Sequence, residues 1–388
     1  MLLLLLACRP ADKDPVDSDI VEADADTDTD TDTDTDADAD SDADGDADID
    51  RVFVGYFPEW AVYDRAYTIS DMPGQHLTHV NYAFVQIVDG ECALYDSWAA
   101  LEKDGGNFAH IAEFKQTWPD VKVLMSIGGW TLSEPFSDVA LTEESRETFV
   151  SSCVDFMTTH GFDGIDVDWE YPVGGGLYDG RPEDKENYTL LLQDFREALG
   201  PQGILTIAAP GGPSTIENMD LPALAEPLSF INLMAYDFNG SWSSVTGHNA
   251  ALYGDLSVDT ATQTYLAAGV PPEKLVIGVA FYGRGFAATS GLGQPFTGVP
   301  AGTWEDGVFD YKDLVSRLAD PEWVVSWDDT AKVPTAYSGT QQVLISYDDT
   351  QSIEAKLDYI DDQGLRGVMA WELSADGGVL SAQLGAWR

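Results

Sequence analysis

The stretch Phe162-Asp163-Gly164-Ile165-Asp166-Val167-Asp168-Trp169-Glu170-Tyr171-Pro172 carries acids at alternate positions from Asp166 to Glu170, with Ile165, Val167 and Trp169 interleaved. Residues two apart share one face of a strand, so Asp166, Asp168 and Glu170 line one side and the apolar residues the other. A parallel barrel strand packs its outer side against helices, which assigns the apolar set to the outside and the acids to the interior. Same-face neighbours lie roughly 6.5 Å apart along the backbone. They cannot all ionise comfortably in a partly desolvated site, so at least one carboxyl pKa should rise. A carboxyl that keeps its proton near neutral pH is a general acid. The competing reading is an edge strand with a solvated acidic face. Gly161 and Pro172 bracket the run and helical patterns flank it, which favours a central βαβ strand with a site at its C-terminal end.

Outward from this run, short apolar segments alternate with helical ones. Strands are predicted at residues 52–57, 77–85, 121–127, 162–170, 203–209, 229–236, 275–281 and 367–371. Amphipathic stretches lie between them at 108–118, 142–160, 183–199, 260–268 and 351–363. The alternation predicts an α/β fold, a (β/α)8 TIM barrel over 51–388. The last two strands are too far apart for a simple crossover. Residues 287–345, with Trp304, Phe309, Tyr311, Trp323 and Trp327, read as a small α+β insertion walling one side of a cleft.

Other strand ends carry candidate site residues. Ser126-Ile127-Gly128-Gly129-Trp130 ends the third predicted strand, where glycines let the backbone turn close to the acids and Ser126 can hydrogen-bond a carboxylate. The sixth ends Asn232-Leu233-Met234-Ala235-Tyr236-Asp237, and a tyrosine hydroxyl there can donate to a carbonyl oxygen unless Tyr236 is simply core. Aromatic residues punctuate the predicted rim: Tyr56, Phe84, Trp130, Tyr171, Tyr236, Trp242, Tyr282 and Trp371. Sugar rings have apolar C–H faces that stack on such planes, although each ring taken singly reads as core before platform, except Trp371, which ends the eighth predicted strand.

Asp163, Asp166, Asp168 and Glu170 together resemble the DxxDxDxE signature of family 18 glycoside hydrolases, the chitinase family. Ser126 to Gly129 resembles its SxGG motif, Met234 to Asp237 its MxYD motif, and Phe281-Tyr282-Gly283-Arg284 its FYGR segment, within a resemblance spanning roughly 51–388. The resemblance implies hydrolysis of chitin or chitooligosaccharides without a cofactor. Glu170 would be the proton donor and Asp168 the partner of the substrate's acetamido N–H. Tyr236 would hold the acetamido carbonyl, and Asp166 and Ser126 would tune Asp168 from behind. Trp371 would floor the reacting sugar's subsite, and Asp163 would be structural. Tyr56, Phe84, Gly129, Trp130, Tyr171, Met234, Asp237, Trp242, Tyr282 and Arg284 are expected at the sugar. His248, in Thr246-Gly247-His248-Asn249-Ala250, reads as a structural hydrogen-bonder. An endo-β-N-acetylglucosaminidase on N-glycans would use the same acids, and a chitinase-like lectin would lack the donor that Glu170 supplies.

Charge bounds the partners. The chain has 68 acidic and 19 basic residues, net −49, and residues 51–388 alone hold 49 against 17. Such a field disfavours nucleic acid and anionic membrane surfaces and suits a neutral or cationic ligand. Residues 9–50 are mostly Asp alternating with Ala, Thr or Ser and are expected to form an extended, self-repelling tether. Asp40, Asp42, Asp44, Gly45 and Asp48 fall on calcium-loop positions, but Arg51 stands where the bidentate Glu is needed, so a spacer is the better reading. Residues 1–8 look like the end of a signal peptide whose start lies upstream, and Leu5-Leu6-Ala7-Cys8 resembles the bacterial lipobox. An extracytoplasmic monomer is expected, either lipid-anchored at the bacterial cell surface through Cys8, its sole membrane link, or secreted. Cys92 and Cys153 read as two small buried residues, with a disulfide left open, and no His pattern suggests a metal.

Overall fold

The computed structural model describes residues 51–388, so Cys8, the acidic tether and the Asp40–Asp48 loop lie outside the described residues. The strands, in chain order, are β1 (Val52–Pro58), β2 (His79–Val88), β3 (Glu91–Leu94), β4 (Lys122–Gly128), β5 (Gly164–Asp168), β6 (Ile204–Pro210) and β7 (Phe230–Met234). They continue with β8 (Leu275–Ala280), β9 (Tyr282–Phe286), β10 (Val308–Asp310), β11 (Trp323–Asp328), β12 (Val333–Ser338), β13 (Val343–Ser346) and β14 (Gly367–Trp371). Eight of them pair in parallel in the order β1-β14-β8-β7-β6-β5-β4-β2, and β1 pairs with β2 to close the barrel. The fold is a (β/α)8 barrel, with β3 hanging antiparallel on β2.

Each barrel strand buries two different faces. On β5, Ile165 and Val167 join the outer core under the helices, and Trp169 just beyond them stacks on Phe136 at 5.3 Å and meets Tyr188 edge-on at 5.1 Å. Asp166 and Asp168 point the other way, into the interior with Tyr56, Phe230, Val276 and Met369. Helices Glu143–His160 and Asp184–Leu199 flank β5. Thr142 caps the first, accepting from the Ser145 N–H at 3.1 Å. Gly161 ends it at φ 76°, a conformation that glycine adopts at little cost, and turns the chain into β5.

The end of β5 and the pairing of the cysteines differ from the sequence reading. Strand β5 stops at Asp168 because its pairing with β4 ends at Gly128↔Asp168 and that with β6 at Val167↔Ile207, so Glu170 lies beyond the ladder. Cys92 and Cys153 are joined in a disulfide with their Cα atoms 5.0 Å apart. The β2–β3 hairpin folds Cys92 back onto the helix that carries Cys153, a long-range contact across a separation of 61 residues that spacing alone does not reveal.

Between β8 and β14 the chain builds a second sheet, order β10-β9-β13-β12-β11, with helix Tyr311–Arg317 beside it. Its first strand is β9, so Tyr282 and Arg284 belong to this sheet and not to the end of a barrel strand. Among the described residues no helix is long and apolar enough to cross a membrane.

Candidate active site

Asp166 is fully buried at the centre of the barrel and accepts four hydrogen bonds. Tyr56 Oη and Ser126 Oγ each donate to Oδ2 at 2.8 Å, Thr206 Oγ1 donates to Oδ1 at 2.6 Å, and Asn232 Nδ2 at 3.3 Å. The ladder makes this possible, because Ser126 and Thr206 are the cross-strand neighbours of Asp166 on β4 and β6. Burial raises the Asp166 pKa while the four donors oppose the shift.

Asp168 sits one step nearer the barrel mouth, buried, with Oδ1 accepting nothing from the protein. Burial first, then the charges of Glu170 and Asp166, push its carboxyl well above the usual range. Glu170 is next along the column and half-buried, and burial raises its pKa to about 7 against a hydrogen bond from Tyr171. A column of three carboxyls in low dielectric therefore holds at least one proton at neutral pH, and the outermost group is poised to exchange it.

Tyr236 follows β7, its ring 6.2 Å from that of Tyr282. Gly278 on β8 makes room for it, since a Cβ there would lie 2.8 Å from Tyr236 Cε1. Its own pKa is raised by burial and by Asp168, Asp237 and Glu170, so the phenol stays a donor. Asp237 is occupied otherwise. Arg284 grips it with Nε to Oδ1 at 2.8 Å and Nη2 to Oδ2 at 2.6 Å, and Tyr282 Oη donates to Oδ1 at 2.7 Å. This bidentate pair ties the insertion's first strand to the barrel rim.

The aromatic residues divide into two groups. Trp371 ends β14 with its ring 5.8 Å from Phe84 in a stacked arrangement, 5.4 Å from Tyr56 and 6.4 Å from Trp60. Tyr56 and Phe84, expected as sugar platforms, are themselves buried beneath this cluster, and the Tyr56 hydroxyl is spent on Asp166. Gly129 is needed because the Phe84 ring fills the space a Cβ would take, 2.5 Å away. Trp130 (49% exposed) and Trp242 (59% exposed) are open faces, the latter 5.1 Å from the Arg284 guanidinium. Met234 is partly buried against the inner cluster and Tyr171 is half-buried beside Glu170. Asp163 is outside the column: it accepts from Lys115 Nζ at 2.7 Å and from the Val123 N–H at 2.8 Å. His248 Nε2 pairs with Asp328 Oδ2 at 3.0 Å.

Sequence reading missed Thr206 and Trp60 and gave Asn232 no role of its own. Thr206 and Asn232 could be found only from the register between strands, and Trp60 only from the loop after β1 folding over Trp371. Among the described residues no group of three or more His, Cys, Asp or Glu side chains is arranged to hold a metal ion.

The model of glycosyl hydrolases family 18 matches residues 52–376. The chain belongs to that family. It is 40% identical to chitinase A1 of Niallia circulans over 83% of its own length, and spans 56% of the length of that relative. It is 38% identical to chitinase 1 of Aphanocladium album, covering 82% of this chain and 80% of that one. Among solved structures, chitinase ChiA74 from Bacillus thuringiensis superposes with a TM-score of 0.82 at 36% identity, over 87% of this chain and 69% of that one. The Group IV chitinase of Ostrinia furnacalis in complex with allosamidin gives 0.81 at 31% identity, over 87% of this chain and 98% of that one.

Proposed function

We propose that this family 18 hydrolase cleaves β-1,4 bonds between N-acetylglucosamine units of chitin or chitooligosaccharides, with the substrate's own acetamido group as nucleophile. The observation that carries this reading is the column Asp166-Asp168-Glu170 at the barrel mouth, whose outermost carboxyl has a pKa of about 7. The names of the relatives support the substrate class.

The column approaches the scissile bond from one side. A conventional retaining glycosidase needs a second carboxylate on the opposite face, about 5–5.5 Å from the acid, and family 18 is a known exception to that arrangement. Outside the column, the carboxylate whose charge reaches Glu170 is Asp237, and Arg284 holds it in a bidentate pair, which makes it a poor nucleophile. The missing nucleophile is then the acetamido oxygen. Glu170 gives its proton to the glycosidic oxygen, the C1–O bond breaks, and the acetamido oxygen bonds to C1 to form an oxazolinium ion. Water opens the ion from the opposite face as Glu170 takes a proton back, so configuration is retained. Asp168, with one oxygen free of protein partners, holds the acetamido N–H and offsets the positive charge. Tyr236 donates to the acetamido carbonyl, and Asp166, fixed by its four donors, keeps Asp168 oriented.

Glu170→Gln tests the assignment. It should reduce hydrolysis of chitin oligomers by roughly a thousandfold, within the range usual for a lost acid–base group, while leaving oligomer binding within a few-fold. Turnover like that of the parent would refute the role.

A further inference from the structure

Glu170 stands two residues past the end of β5, so no strand holds its backbone. Its amide N–H nevertheless has a partner: Ser133 Oγ accepts it at 2.9 Å. Ser133 lies in the loop between β4 and helix Phe136–Val139, and is 97% buried by virtue of an exposure of 3%. The same hydroxyl approaches two carbonyls as donor, Gly129 O at 2.9 Å and Asp168 O at 3.2 Å. Asp168 O also accepts the Gly129 N–H at 2.8 Å, and Gly128 leaves room for that approach, since a Cβ there would lie 2.3 Å from the same oxygen.

A hydroxyl has one proton and two lone pairs, so it can accept from Glu170 while its proton is shared between the two carbonyls. One side chain thus continues the β4–β5 ladder beyond its last pair, Gly128↔Asp168. We infer that Ser133 is a positioning residue for the reaction: its hydroxyl fixes the backbone of Asp168 and Glu170 and thereby aims both carboxyl groups into the cleft. The inference rests on the reading of Glu170 as proton donor. Ser133 makes no hydrogen bond to the column's carboxylates, and its partners there are all backbone atoms, so its effect passes through the backbone.

Alanine leaves the Glu170 amide without an acceptor, and cysteine fills the space with a poor one. S133A and S133C should lower kcat on a chitin oligomer about tenfold or more, because small displacements of a catalytic group are costly, with KM within about threefold. The alkaline limb of their pH–rate profile should move away from that of the parent, a change that general loosening of the fold would not produce. Oligomer binding by S133A/E170Q should match that of E170Q. A folded variant with the parent's kcat and alkaline limb overturns the inference, as does a kcat loss matched by an equal loss of binding in the E170Q background. Where S133A does not fold, S133C is measured in its place, and failure of both to fold overturns a role confined to positioning. E170Q, measured alongside, separates the two readings. If it retains turnover, the donor assignment fails; if it is inactive while S133A and S133C behave like the parent, only the Ser133 role fails.

Discussion

Glu170 illustrates how burial sets chemistry at a single residue. An exposed glutamate would be ionised at pH 7, whereas this one has a pKa of about 7 because the cleft strips its water. The acid form is the working form, so kcat/KM should fall as pH rises through about 7, and a pH–rate profile on a soluble chitin oligomer checks this. The linked effect on stability has a definite sign. The folded-state pKa lies above the unfolded value of about 4.3, so the folded state holds the proton more tightly. Stability is therefore lost as pH climbs from about 4 to about 7. Glu170→Gln removes that loss. The variant should equal the parent near pH 4 and exceed it by about 1–3 kcal/mol at pH 8, the range reflecting partial solvent access. Urea unfolding at the two pH values measures the difference, and an equal gap at both would contradict the account of burial.

Among elements, the turn after β4 does the most to shape the cleft. Gly128 lets the chain approach Asp168 O, Gly129 makes room for Phe84, and Ser133 reaches back to Glu170. Gly129→Ala puts a methyl group 2.5 Å from the Phe84 ring at φ 85°, so Phe84 must shift against Trp371. A loss of about 1–3 kcal/mol is expected, together with a several-fold rise in KM, and thermal melting with steady-state kinetics on one preparation checks both. The barrel itself was legible in the sequence because alternating acids on β5 and the strand-helix rhythm are local patterns. The placement of Asp168, Glu170, Tyr236 and Trp371 at or just beyond strand ends was legible for the same reason. Thr206, Asn232 and Ser133 were not. Their partners depend on which residues stand opposite across the ladder or on where a loop folds back, and neither is a local property. Tyr56 and Phe84 were legible as aromatic but not as buried, since a single ring reads the same in core and cleft.

Across the whole molecule, long-range ties join elements that the barrel's sequential pairing leaves apart. Arg284 links the insertion to Asp237 on the rim, and Arg65, from the loop after β1, pairs with Glu372 beside Trp371 at 2.9 Å. The Cys92–Cys153 disulfide ties β3 to helix Glu143–His160 across a separation of 61 residues. A double Cys92→Ser/Cys153→Ser variant should lose about 2–4 kcal/mol of stability and keep the parent's kcat, which melting and kinetics together assess. A loss of kcat at temperatures where the variant remains folded would show that the bridge also shapes the cleft.

Every assignment at the site depends on the sugar supplying its own attacking oxygen. The most direct measurement is hydrolysis of chitin hexamer followed by NMR in the first moments of reaction, with cellohexaose, which has no acetamido groups, run beside it. The new reducing ends should appear as the β-anomer, and cellohexaose should remain uncut. Initial release of the α-anomer, or cleavage of cellohexaose at a comparable rate, would contradict the assignment.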